Sequence, residues 1–194
     1  MQKIGILGLA LFCLAASAAA QSKWTPSEAN IRFSEQISNG PAGSCGCFAM
    51  EGVAGDVAWD IHQYGAEHKR ALGAVADLSV EHAGQVNNAP YGLTLTTLAF
   101  GPRYTSAVGH SHLFAQSLFG FAHGSNSEFP VNNSLVSSAN SFAVDLGAGA
   151  DYAIRKRLSI RMAQIEYLRT QFPNNARDWQ NNLRISAGIT LSFK

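Results

Sequence analysis

The sequence predicts an all-β fold: an eight-stranded antiparallel up-and-down transmembrane β-barrel with its apolar face turned outward. Three observations carry this. From Asn182 to Phe193, apolar residues alternate with small or polar ones without a break. Successive strand side chains point to opposite faces, so Leu183, Ile185, Ala187, Ile189, Leu191 and Phe193 share one face and Asn182, Arg184, Ser186, Gly188, Thr190 and Ser192 the other. After residue 20, no apolar run approaches the roughly 18 residues of a membrane-spanning helix, so a membrane would have to be crossed by strands. Charged residues make up only 14% of the chain, against about 25% in soluble domains, which suits a wall facing lipid.

The first twenty residues have the pattern of an export signal. Lys3 precedes an apolar stretch from Ile4 to Leu14, and Ala18-Ala19-Ala20 supplies small residues for cleavage before Gln21. Cys13 follows Leu11-Phe12 rather than small residues, which argues against lipid anchoring. The remaining chain of about 174 residues suits one domain. The expected division is a signal peptide over 1–20, an N-terminal segment over 21–46 that holds the candidate first strand and a loop, and an outer-membrane barrel over 47–194.

Working back from the last strand, Leu158 to Thr170 alternates with one slip near Ala163, which an extra residue, a β-bulge, would restore. Phe142 to Ile154 alternates cleanly, with Asp145, Gly147, Gly149 and Asp151 on the polar face. Leu113 to His123, Leu93 to Thr105 and Leu72 to His82 are each long enough to cross at about 9 to 11 residues. Val53, Val57, Trp59 and Ile61 oppose Ala54, Asp56, Ala58 and Asp60, making a seventh strand. Ile31, Phe33 and Ile37 supply the eighth. The competing reading there is a helix, because Thr25-Pro26-Ser27-Glu28 has the form of a capping box; the even strand count of single-chain bacterial barrels favours the strand.

Connections support the topology. Ala107 to Ser111 and Arg155-Lys156-Arg157 are short and fall at one rim, whereas Gly124 to Asn140 and Gln171 to Asn181 are expected as long loops at the other. Gln63 to Arg70 is longer than a short-rim turn. Aromatic residues sit near strand ends, including Trp59, Tyr64, Tyr104, Phe121, Tyr152, Tyr167 and Phe193, as in the aromatic girdles of membrane barrels.

Phe100-Gly101-Pro102-Arg103-Tyr104, Phe114-Ala115-Gln116-Ser117-Leu118-Phe119-Gly120, Gly147-Ala148-Gly149-Ala150-Asp151-Tyr152 and Gln180-Asn181-Asn182-Leu183-Arg184 follow in this order along the chain. Together they resemble the bacterial outer-membrane β-barrel family related to the membrane domain of outer membrane protein A and the opacity surface antigens, over roughly Cys47 to Phe193. The resemblance implies a non-enzymatic eight-stranded barrel of the bacterial outer membrane. It also implies recognition of the last strand by the barrel assembly machinery through a terminal aromatic, here Phe193, displaced inward by Lys194.

The residues that carry chemistry are those facing the lumen. An eight-stranded barrel is just wide enough to be filled by side chains. Arg103, Gln116, Asp145, Asp151, Arg161, Glu166 and Arg184 should form a luminal polar network, with Asp56, Asp77 and Glu81 also inward. Buried charge must be paired, so Arg103, Arg161 and Arg184 should meet carboxylates such as Glu166, Asp145 and Asp151 on neighbouring strands.

One catalytic alternative stands beside this. His123-Gly124-Ser125-Asn126 looks like the His-x-Ser-Asn motif of a lipid A 3-O-deacylase, in which His123 would activate Ser125 and an acid, Glu128 or Glu166, would orient the histidine. The other histidines, His62, His68, His82, His110 and His112, fall at strand ends or turns, and no metal or cofactor is expected. Cys45 and Cys47 allow either a strained loop disulfide or free thiols.

The function expected is a structural or surface barrel with at most weak porin-like passage. Its partners would be outer-membrane lipid, the assembly machinery, and extracellular molecules reached through the long loops; the net charge of +1 gives no reason to expect nucleic acid. The competing class is a soluble periplasmic barrel holding an apolar ligand, since alternation alone does not say which face is inside.

Overall fold

A computed structural model of the chain describes residues 26–39, 47–65, 69–86, 90–131, 133–174 and 178–193. The signal-peptide segment, Thr25, Cys45, His68 and Lys194 lie outside the described residues. Eight strands follow in chain order: β1 (Glu28–Ser38), β2 (Phe48–Tyr64), β3 (Arg70–Ala83), β4 (Leu93–Val108), β5 (Ser111–Val131), β6 (Ser134–Arg155), β7 (Leu158–Thr170) and β8 (Gln180–Ser192). Each pairs antiparallel with its sequence neighbours, and β1 closes on β8 without interruption from Glu28↔Ser192 to Ser38↔Asn182. The segment over 28–38 is therefore a strand, not a helix, and it belongs to the barrel wall.

Which face is inside follows from the side chains. Ile31, Phe33, Leu98, Phe121, Ile165, Ile185 and Ile189 stand on the exterior, Phe33 at 79% exposure. Asn30, Arg32, Ser34 and Gln36 alternate with them into the lumen and are buried. Soluble monomers rarely expose contiguous apolar patches beyond a few hundred Å², so an exterior apolar on every strand requires lipid around it. The arrangement is the reverse of a ligand-binding barrel with a greasy core.

Local chemistry explains the departures from regular strand. The register between β7 and β8 slips between Arg161↔Gly188 and Gln164↔Ser186, leaving one extra residue on β7 at Met162-Ala163. The bulge allows both Arg161 and Gln164 to face inward. At the termini rim, β4 turns into β5 through Gly109, whose φ of 62° is the left-handed conformation that glycine tolerates without steric cost. Gly149 faces the Phe114 ring so closely that a Cβ would lie 2.5 Å from Cζ, so the missing side chain makes room for the ring.

The outer rim differs from expectation. Gly124 to Asn140 is not an open loop: β5 and β6 continue as a ladder to Val131↔Ser134, broken only by an irregularity between Ser125 and Phe129. Asn126 and Asn133 take positive φ, a conformation that asparagine visits more readily than most residues, so this Asn-rich segment forms a bulge and a tight turn. Pairing with β4 ends at Thr94↔Ser125 and with β7 at Ala143↔Thr170, so the hairpin rises beyond its neighbours. Residues 171–174 are not simply solvated either, because Phe172 is buried at the barrel mouth.

Gly149→Val should force the Phe114 ring out of place and destabilise the barrel by about 1–3 kcal/mol. The measurement is the temperature at which the folded, fast-migrating band is lost in detergent gels, and an unchanged transition would contradict the close approach.

Candidate functional site

The lumen holds the only concentration of charge buried among the described residues, and each strand contributes by the period-two rule. Near the chain termini, Asp56 on β2 receives three guanidiniums. Arg32 Nη1 and Arg161 Nη1 each donate to Oδ2 at 2.7 Å, and Arg103 Nη1 donates to Oδ1 at 3.0 Å. Arg161 also forks onto Asp151, Nε to Oδ1 at 2.7 Å and Nη2 to Oδ2 at 3.0 Å. Such bidentate pairs fix geometry as well as charge. Arg103 donates to Gln116 Oε1 from Nε at 2.9 Å and from Nη2 at 2.7 Å, and from Nη1 to Glu28 at 2.8 Å. Both guanidiniums lie over the Phe114 ring, 4.7 Å from its centroid for Arg103 and 4.4 Å for Arg161.

A second tier lies toward the outer rim around Arg184. Its Nε donates to Glu166 Oε2 at 2.7 Å, Nη2 to Asp145 Oδ2 at 2.8 Å, and Nη1 reaches Glu81 Oε1 at 3.4 Å. Arg32 joins the tiers, binding Asp77 as well as Asp56 and lying 3.6 Å from Glu166. Gln164 completes the join, accepting from Arg161 at 2.8 Å and donating to Glu166 at 2.7 Å.

All seven luminal residues expected from the sequence are therefore buried and hydrogen-bonded to one another or to further luminal groups. The pairing is less local than expected. Arg161 meets Asp151 and Arg184 meets Glu166 on adjacent strands, but Arg103 reaches across to Asp56 and Glu28 rather than to Glu166, Asp145 or Asp151. A narrow bore brings non-neighbouring strands within one side chain's length.

Two features were not anticipated. Arg32 is a luminal cation that links the two tiers, and the signal for it was the alternation of Asn30, Arg32, Ser34 and Gln36 with Ile31, Phe33 and Ile37, interrupted by outward Glu35. Above the ion pairs sits an apolar cluster that includes Met50, Leu93, Leu95, Phe129, Leu168 and Phe172. The Phe129 and Phe172 rings lie 5.4 Å apart. Gln180 holds the loop down, donating to the Phe172 carbonyl at 2.9 Å and accepting its N–H at 2.8 Å. Phe129 and Phe172 were hidden because both fall in segments with the composition of loops.

The histidine and serine of the catalytic alternative lie outside the lumen. His123 Nδ1 is 2.7 Å from Asn140 Oδ1, an amide where a triad needs an acid. No hydrogen bond joins His123 to Ser125 among the described residues, Glu128 is exposed, and Glu166 is sealed inside the lumen. His82 Nδ1 lies 2.9 Å from Thr94 Oγ1, and no group of metal-ligating side chains occurs among the described residues. Cys47 is an exposed thiol.

Among the described residues the lumen buries Arg32, Arg103, Arg161 and Arg184 against six carboxylates, Asp56, Asp77, Glu81, Asp145, Asp151 and Glu166. Removing a cation from such a set strands several anions, whereas removing one anion relieves repulsion. Arg184→Ala should therefore destabilise the barrel by about 3–5 kcal/mol. Asp145→Asn should cost less than about 1 kcal/mol, because Asp145 Oδ1 already has no partner. Urea unfolding from lipid vesicles measures both, and the reverse ranking would refute the assignment of Arg184 as the organising charge.

The comparisons with known proteins agree with this geometry. The solved structures it resembles include Neisserial surface protein A, with a TM-score of 0.61 at 11% identity over 86% of this chain and 96% of that one. Another is the attachment invasion locus protein Ail of Yersinia pestis, with a TM-score of 0.53 at 13% identity over 87% of this chain and 99% of that one. Ail in complex with the heparin analogue sucrose octasulfate gives a TM-score of 0.54 at 14% identity, over 86% and 98% of the two chains. At such identities the likeness concerns the fold. No curated protein matches the sequence. The model of the outer membrane protein beta-barrel domain matches residues 6–190, nearly the whole chain. With a closed eight-stranded wall, an apolar exterior and a charged lumen, this chain belongs to the outer membrane β-barrel protein family, which points to the bacterial outer membrane as its place.

Proposed function

We propose that this protein is a non-enzymatic surface barrel of the outer membrane, closed to solute in its resting state, whose function resides in what it displays outside the membrane. The observation that carries the reading is the filled lumen. Arg32, Arg161 and Arg184 are all at most 1% exposed, and the Phe129–Phe172 cluster covers them at the outer rim. A solute would have to separate ion pairs that cost several kcal/mol per unpaired charge, so porin-like passage is negligible without rearrangement.

The displayed element is the β5–β6 hairpin, whose ribbon over 126–131 and 134–142 stands clear of β4 and β7. Leu135, 64% exposed, presents an apolar side chain there. A surface role accords with the name of Neisserial surface protein A, and the hairpin gives extracellular partners an accessible contact. The other partners follow from the wall and its last strand. Lipid surrounds the apolar band, an export signal over 1–20 delivers the chain, and the assembly machinery takes it up through Phe193.

Purified protein in planar bilayers should give no stable open level in single-channel recordings, and regular steps in the wild type would overturn the closed-lumen reading. Lipid A mass spectra from cells carrying the wild type and Ser125→Ala should be identical; loss of one acyl chain that depends on Ser125 would replace the surface role with hydrolysis.

A further inference from the structure

One cation on the exterior stands outside the luminal network. Arg169 alternates with the luminal residues Leu168 and Thr170 on β7, so it faces outward, and its register partners are Val144 and Asn181. The four luminal arginines each meet carboxylates, but Arg169 makes no ion pair among the described residues. Its Nε is inaccessible to solvent and has no hydrogen-bond partner. The guanidinium instead lies over the Trp179 ring, its Cζ 4.0 Å from the centroid. Of the carboxylates flanking it in sequence, Glu166 is buried in the lumen, and Asp178, beside Trp179, accepts the Asn174 N–H at 3.1 Å.

The height of this site selects its ligand. From Leu158 at the turn rim, β7 climbs to Arg169 over about 28 Å along the barrel axis, taking about 3.3 Å per residue and a tilt of about 40°. The apolar band of such barrels is about 25 Å tall, so Arg169 lies just past its outer edge. Tyr167, 41% exposed, and Trp179, 58% exposed, sit at the same level as an interfacial aromatic pair. An unpaired cation at the hydrocarbon edge is unfavourable unless an anion meets it. The anions carried at that depth are the phosphates of lipid headgroups. A guanidinium presents a planar fork that matches phosphate oxygens, and Trp179 covers one face so that the donor edge is held toward the headgroup layer.

We infer that Arg169 and Trp179 form a binding site for a phosphate group of an outer-leaflet lipid on the exterior of β7 and β8. The inference rests on the outer-membrane reading above. The ligand is the lipid, its acyl chains lying along the wall beside Leu183 and Ile185, not free phosphate.

The test uses the whole barrel, washed free of lipid in detergent and offered a bis-phosphorylated glucosamine lipid or its dephosphorylated form. Native mass spectrometry counts the lipid retained. The wild type should hold the phosphorylated lipid about tenfold more tightly than the dephosphorylated one, the scale of one charge-assisted hydrogen bond. Arg169→Gln should abolish that preference, Trp179→Ala should weaken it, and Trp179→Phe should keep most of it. Excess inorganic phosphate should leave the bound lipid in place. Equal retention of both lipids by the wild type, an unchanged preference in Arg169→Gln, or displacement by inorganic phosphate would each overturn the inference. Heat-modifiable gel mobility of the same samples separates the two readings: a wild type without it fails the membrane barrel itself, whereas a heat-modifiable barrel without the preference fails only the lipid site.

Discussion

Closure of β1 onto β8 is the constraint on which the rest depends. Hydrocarbon offers backbone N–H and C=O groups no partner, so a strand can cross lipid only if both its edges are paired. The unbroken register from Glu28↔Ser192 to Ser38↔Asn182 removes the last free edge. It also brings β1 into the wall and with it Arg32, which reaches Asp56, Asp77 and Glu166 from three different strands. Without that closure the luminal charges would have neither a cavity nor the cation that links their two tiers.

A closed wall of eight strands then dictates what can lie inside. A bore of eight strands is just wide enough for side chains to fill, and here they fill it. Glycines accommodate the large groups: a Cβ at Gly147 would lie 2.9 Å from the Glu166 side chain, and one at Gly188 would meet the Arg32 Cα at 2.6 Å. Polar filling follows from the lipid outside, because apolar side chains go where water is excluded and the alternation then turns every polar partner inward. The upper lumen departs from that rule. There Phe129 and Phe172 seal the mouth where the barrel meets the outer loops, and apolar filling costs nothing beneath a covered rim.

Much of this was legible along the chain. Seven strands, the bulge in β7 and all seven members of the luminal set could be read from alternation, because period two assigns each residue a face whatever its neighbours are. β1 was harder: Glu35 interrupts the outward series of Ile31, Phe33 and Ile37, and Thr25-Pro26-Ser27-Glu28 has the form of a capping box, so its pattern resembled that of a short helix. The β5–β6 hairpin was hidden by composition, since Asn, Ser and Pro mark loops in general but here occupy a paired ribbon with positive-φ turns at Asn126 and Asn133.

What the sequence determined by itself is the two-faced strand, and with it the barrel; which face turns outward was settled by the folded wall. The last strand, from Asn182 to Phe193, contains both the lipid face and the charge, Arg184, that the lumen must neutralise. Only the tertiary structure decided which charges meet. Pairing across a bore depends on strand stagger, tilt and side-chain reach, none of which is written in local periodicity, so Arg103 finds Asp56 across the lumen rather than a carboxylate beside it. The same reason governs the exterior: that Arg169 alone is left to Trp179 emerges only when β7, β8 and the loop between them are folded together.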